Sequence, residues 1–135
     1  MPGKYFVKIA FVSLASLFAA VLSGCGSREV SLGAEDNGGQ ATLEQGQTLA
    51  ISLESNPTTG YSWQALEIDA ALLRQSGEAE YKQSPGSEGL VGAGGVETLR
   101  FEALAAGQTR LTLGYMRAWE SVPPVETFTV QVIVR

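Results

Sequence analysis

The chain contains no histidine and a single cysteine, Cys25, among its 135 residues. Without histidine, neither a Ser-His-Asp triad nor a Cys-His pair can be assembled, and the usual His/Cys zinc site is also out of reach. A lone cysteine forms no internal disulfide. The remaining catalytic options are carboxylate pairs, or serine or threonine activated by lysine. Fourteen acidic residues always contain some pair at glycosidase-like spacing. Nothing marks one pair out from a solvated acidic surface. Basic residues are scarce too. With Lys4 and Lys8 set aside, seven basic residues face fourteen acidic ones, a formal charge of −7. Nucleic acid requires a basic patch, so it is excluded as a partner; acidity alone signals solubility rather than a binding partner.

Only one long apolar run is present. It extends from Ile9 to Leu22, interrupted by Ser13 and Ser16, and follows Lys4 and Lys8. A membrane-spanning helix needs about 20 apolar residues, so this run is short for one and has the layout of a secretory signal. The ending Leu22-Ser23-Gly24-Cys25 resembles the lipobox of bacterial lipoproteins. That likeness implies removal of residues 1–24, a lipid on Cys25 and attachment to a membrane. Gly26, rather than aspartate, after the cysteine points by the same likeness to the outer membrane. Residues 25–38 are small, polar and without periodicity, and read as a flexible tether.

From Gly39 to Arg135 the pattern changes to short segments of period two, punctuated by turn residues. Leu49, Ile51 and Leu53 alternate with Ala50, Ser52 and Glu54. Tyr61, Trp63 and Ala65 alternate with Ser62 and Gln64. Ala79 to Gln83 forms a weaker strand, and Leu99-Phe101-Ala103 and Leu111-Leu113-Tyr115 form two stronger ones. The most regular segment is Phe128, Val130, Val132 and Val134 against Thr129, Gln131 and Ile133. Residues 69–75 fit one helical turn after an Asp69 cap. About seven strands with little helix signal predict an all-β, immunoglobulin-like sandwich without a disulfide, with Trp63 filling the core.

Three connections exceed what a hairpin needs. In Asn56-Pro57-Thr58-Thr59-Gly60-Tyr61, Pro57 fixes its own φ and restricts Asn56 to extended geometry, while Gly60 supplies a conformation closed to other residues. The outcome is a stiff turn displaying two threonines. The stretch from Ser84 to Gly95 carries five glycines, ending in Gly92-Ala93-Gly94-Gly95. A phosphate loop would need a helix after it and normally a lysine; strand-like residues follow here instead. The glycines fit plain flexibility or a backbone that approaches another surface closely. The third, Met116 to Pro124, places Trp119 outside the preceding alternation, near Arg117 and stiffened by Pro123 and Pro124. That is the composition of an interface anchor, although Trp119 could also fold back on the core. In an immunoglobulin-like strand order these three loops can cluster at one end.

The three loops together resemble the chagasin family of cysteine protease inhibitors. Asn56 to Tyr61 is similar to that family's Asn-Pro-Thr-Thr-Gly-aromatic loop, Gly92-Ala93-Gly94-Gly95 to its glycine-rich loop, and Arg117-Ala118-Trp119 to its Arg-Pro-aromatic loop. Ala118 departs from the pattern, where proline is usual. The resemblance covers Gly39 to Arg135 and implies a reversible, competitive inhibitor of papain-like cysteine proteases that is not itself an enzyme and uses no cofactor or metal. It further implies that Thr58 and Thr59 enter the catalytic cleft and that the glycine loop lies along it. Trp119 would pack on aromatic residues beside the primed subsites, with Arg117 making polar contacts at the rim. The competing expectation is a non-inhibitory envelope binding module, such as an adhesin, using the same edge.

Overall fold

The computed structural model describes residues 28–86 and 92–135. The signal-like segment, Cys25 and the middle of the glycine-bearing stretch lie outside the described residues. Among the described residues there are nine strands, against about seven expected: β1 (Val30–Leu32), β2 (Gln40–Leu43), β3 (Thr48–Ser55), β4 (Ser62–Glu67), β5 (Leu73–Gln75), β6 (Glu80–Gln83), β7 (Gly95–Ala103), β8 (Gly107–Met116) and β9 (Glu126–Val134). One sheet runs β1-β3-β7, with β5 and β6 pairing successive stretches along the far edge of β7. The other runs β2-β9-β8-β4. The two lie face to face as an immunoglobulin-like sandwich.

The alternation that suggested strands also places the core. On β9, Phe128, Val130, Val132 and Val134 are buried, and Leu111 and Leu113 of β8 join them. From the opposite sheet come Leu49, Ile51 and Leu53 of β3 with Leu99, Phe101 and Ala103 of β7. Trp63 of β4 is 5% exposed and belongs to this cluster, as its place in the alternation predicts. Burying a side chain of the Val, Leu or Phe class stabilises by about 1.5–3 kcal/mol. The two faces therefore hold the long strands rigidly enough to carry their loops.

Two expectations change. The tether expected over residues 25–38 is interrupted by structure from Val30 onward. Val30, Ser31 and Leu32 pair in parallel with Leu49, Ala50 and Ile51, and Val30 and Leu32 pack against the core. Asn37 accepts from the Thr129 amide at 2.8 Å, and Arg100 donates to Glu29 at 3.0 Å. Three residues are too few to show a period, so a strand this short reads as tether. The second change concerns residues 69–75. Asp69 does cap a turn, its carboxylate accepting from the Ala71 amide at 2.9 Å and its carbonyl from Leu72 and Leu73. Leu73 to Gln75 then pair with β7, because burial of Leu73 against that edge outweighs continued helix.

Candidate functional site

Strand β3 delivers Asn56 to one pole of the sandwich, and β4 departs from the same pole. Between them Pro57–Thr59 form a single 3-10 turn. Asn56 holds extended backbone, as a residue before proline must. Its side-chain oxygen accepts from the Thr58 amide at 3.3 Å and the Thr58 hydroxyl at 2.6 Å. The Thr59 hydroxyl donates to the Asn56 carbonyl at 2.6 Å. Both threonine hydroxyls are thus engaged inside the loop, and both residues are exposed. The turn closes at Gly60, whose φ of +81° lies in the left-handed region.

Asn56 also joins this loop to the other two. Its side-chain amide donates to the Gly92 carbonyl at 2.9 Å, and its backbone amide donates to the Tyr115 hydroxyl at 2.9 Å. Tyr115 is the penultimate residue of β8, at the base of the tryptophan loop. The glycine loop enters β7 at Gly95, where a Cβ would run into the Lys82 carbonyl and the Tyr81 hydroxyl. Close backbone approach, rather than flexibility, accounts for this glycine. A Cβ on Gly94 would rest 3.4 Å from the Ser55 carbonyl, so this backbone also runs close beside β3.

The third loop crosses to the threonine loop through Arg117 and Trp119. The Arg117 guanidinium donates to the Thr59 carbonyl at 3.0 Å and to the Glu120 carboxylate at 3.0 Å, and lies 4.5 Å over the Tyr61 ring. The Glu120 hydrogen bond raises its pKa above the ordinary arginine value, so it stays charged throughout. Below it, the Tyr61 ring meets that of Tyr115 in a tilted contact with centroids 5.4 Å apart, and Tyr115 stacks on Trp63 at 5.2 Å. A column of rings therefore runs from the buried core to the exposed edge. Trp119 is 70% exposed and does not fold back on the core. The far end of its indole sits against Gly60 so closely that a Cβ there would lie 2.5 Å from it.

All the residues singled out in the sequence at positions 56–61, 92–95 and 117–119 gather at one pole. Ala118 is exposed beside Trp119, and the loop holds its shape without a proline at that position: Arg117 braces one side, and the Glu120 amide closes a turn onto the Arg117 carbonyl. Sequence reasoning missed three members of the network: Tyr115, Glu120 and the buried Glu97 of β7, whose carboxylate accepts from the Ser55 hydroxyl and the Trp63 amide. Tyr115 stood in an alternation of buried leucines, and a tyrosine there needs a partner for its hydroxyl. That was the available signal. Among the described residues no group of three or more His, Cys, Asp or Glu side chains converges as a metal site would require.

The profile described as "Chagasin family peptidase inhibitor I42" matches residues 42–132. The chain is 30% identical over 106 residues to Amoebiasin-1 of Entamoeba histolytica, covering 78% of this chain and 100% of that one. It is 36% identical over 87 residues to Chagasin of Trypanosoma cruzi, covering 62% and 76% respectively. A crystal structure of a cysteine protease inhibitor from Entamoeba histolytica has the same fold, with a TM-score of 0.69 at 27% identity, covering 79% of this chain and 96% of that one. A match spanning residues 42–132, with the family's three loops drawn together at one pole, assigns this chain to the chagasin family of peptidase inhibitors.

Proposed function

We propose that the three loops act as one rigid wedge that enters the active-site cleft of a papain-like cysteine protease and excludes substrate, reversibly and competitively. The carrying observation is Asn56, which fixes both threonines while bonding Gly92 of the glycine loop and Tyr115 at the base of the tryptophan loop. A wedge assembled before docking loses little conformational entropy on binding, which is how buried area becomes affinity. Three loops can supply the roughly 800 Å² per partner of a standard interface. The resemblance to a protein described as a cysteine protease inhibitor supports the choice of target class. Thr58 and Thr59 are the central residues, the backbone at 92–95 lies along the cleft, and Trp119 anchors one side. Arg117 works within the wedge, since its Nε and one terminal nitrogen are already taken by Thr59 and Glu120.

Steady-state kinetics with papain test this. The full chain, purified in mild detergent, should raise the apparent KM for a peptide substrate without changing kcat, and dilution should restore activity. Unchanged activity at micromolar inhibitor, or a fall in kcat alone, would contradict the reading. A partner without a reactive cysteine, recovered in its place, would favour the adhesin alternative.

The same proposal extends to location. The ending Leu22-Ser23-Gly24-Cys25 supports a lipid on Cys25 that holds the wedge at the bacterial outer membrane. Cells fed a radiolabelled fatty acid should incorporate label into the wild-type protein and not into Cys25→Ser. Absence of label from wild type, or equal label in the variant, would refute the anchor.

A further inference from the structure

Glu97 lies on β7 with the parity of Leu99, Phe101 and Ala103, and is 5% exposed. An apolar side chain would complete that face. Burying a carboxylate there is unfavourable unless its oxygens are well satisfied. Both are. One accepts from the Ser55 hydroxyl at 2.8 Å, and the other from the Trp63 backbone amide at 3.0 Å, each bond buried.

The placement of those donors explains the carboxylate. Ser55 is the last residue of β3, immediately before the threonine loop. Trp63 is the second residue of β4, just after that loop returns. Glu97 itself stands two residues past Gly95, where the glycine loop joins β7 in register with Ser55. β4 is an edge strand of the second sheet, so its free-side amide at Trp63 points away from β8. Glu97 meets that amide from the first sheet. One carboxylate thereby ties together both stems of the threonine loop and the exit of the glycine loop, across the gap between sheets. The indole of Trp63 reinforces the tie by donating to the Glu54 carbonyl at 3.0 Å.

We propose that Glu97 is the positioning residue that sets the spacing and tilt of the threonine and glycine loops, acting on a target protease only through them; this rests on the inhibitory reading above. Glu97→Leu keeps the packing and removes both acceptors. Glu97→Gln keeps an acceptor oxygen for Trp63 and presents an amide that the Ser55 hydroxyl can accept. Val132→Ala, in the core at the opposite pole, controls for lost stability alone.

The test uses the full chain in detergent, comparing backbone amide NMR signals of residues 56–61 and 92–95 with Ki against papain. Glu97→Leu should displace those signals and raise Ki by about tenfold or more. Glu97→Gln should leave Ki within about threefold of wild type, since it retains the bridge. Val132→Ala should leave both the loop signals and Ki in place. Should Glu97→Leu fail to fold, Ser55→Ala removes one donor at small volume change and should move the same signals by less. Unmoved loop signals in folded Glu97→Leu and Ser55→Ala would overturn the proposal. So would an equal rise in Ki for Val132→Ala. If wild type itself does not inhibit papain, the target reading fails, and the amide signals still decide whether Glu97 positions the loops.

Discussion

Trp119→Ala should weaken inhibition of papain by on the order of thirtyfold, because truncating a buried aromatic anchor commonly costs about 2 kcal/mol or more at an interface. In the free protein the ring is 70% exposed. The thermal midpoint should therefore barely move, since changes at exposed positions usually stay within about 0.5 kcal/mol. Separation of the two readouts is the signature of an anchor. Glu120→Ala removes a half-buried surface ion pair to Arg117, and surface pairs contribute about 0–1 kcal/mol. Its effect on Ki should be clearly smaller. Glu120→Ala more damaging than Trp119→Ala would show that the anchor has been misassigned.

Gly60→Ala should be nearly as damaging to inhibition as loss of the tryptophan, although it adds a single carbon. Two effects coincide at this position. The backbone has φ of +81°, which costs a side-chain-bearing residue roughly 1–2 kcal/mol. The new Cβ would also fall 2.5 Å from the tip of the Trp119 indole. An exposed ring can swing aside, so folding survives and the presented surface changes. The consequence is non-additivity: the double variant Gly60→Ala/Trp119→Ala should bind little worse than Trp119→Ala alone. Gly60→Asn separates the causes, since asparagine tolerates the left-handed region better yet still carries a Cβ. It should regain stability and not inhibition. Full inhibition by Gly60→Ala would mean that Trp119 engages its target from some position other than the one it holds in the free protein.

The parts of this molecule that could be read in advance are those in which one residue's environment follows from its near neighbours. Trp63, Phe101 and the valines of β9 sit where a period of two puts them. The turn at Asn56 to Gly60 follows from the local geometry of proline and glycine. What stayed hidden depends on distant partners. Val30 and Leu32 form a strand only because β3 offers an edge, and no three-residue pattern announces that. The segment at Leu73 abandons its helical turn for the edge of β7. Arg117 has the look of a contact residue in sequence, and its bonds to the Thr59 carbonyl and the Glu120 carboxylate depend on partners that no local pattern announces. Glu97 was legible in principle: extending the alternation of Leu99 and Phe101 back by one step places it inside. It passed for one more solvated acid among fourteen.

These features share one logic. The sandwich is rigid where its apolar faces meet, and that rigidity reaches the loops through polar groups at the pole: Asn56, Arg117, Tyr115 and Glu97. The family to which the chain belongs consists of peptidase inhibitors, and for an inhibitor a rigid shape presented at the pole suffices.

The most direct test is a crystal structure of the full chain bound to papain. If the three loops form one wedge, Thr58, the backbone at Gly94 and the Trp119 ring should all contact the protease within a single cleft, with Asn56 still bonded to Gly92 and Tyr115. A protease seated instead on the opposite pole, around the turns at Gly46 and Gly107, would contradict the account.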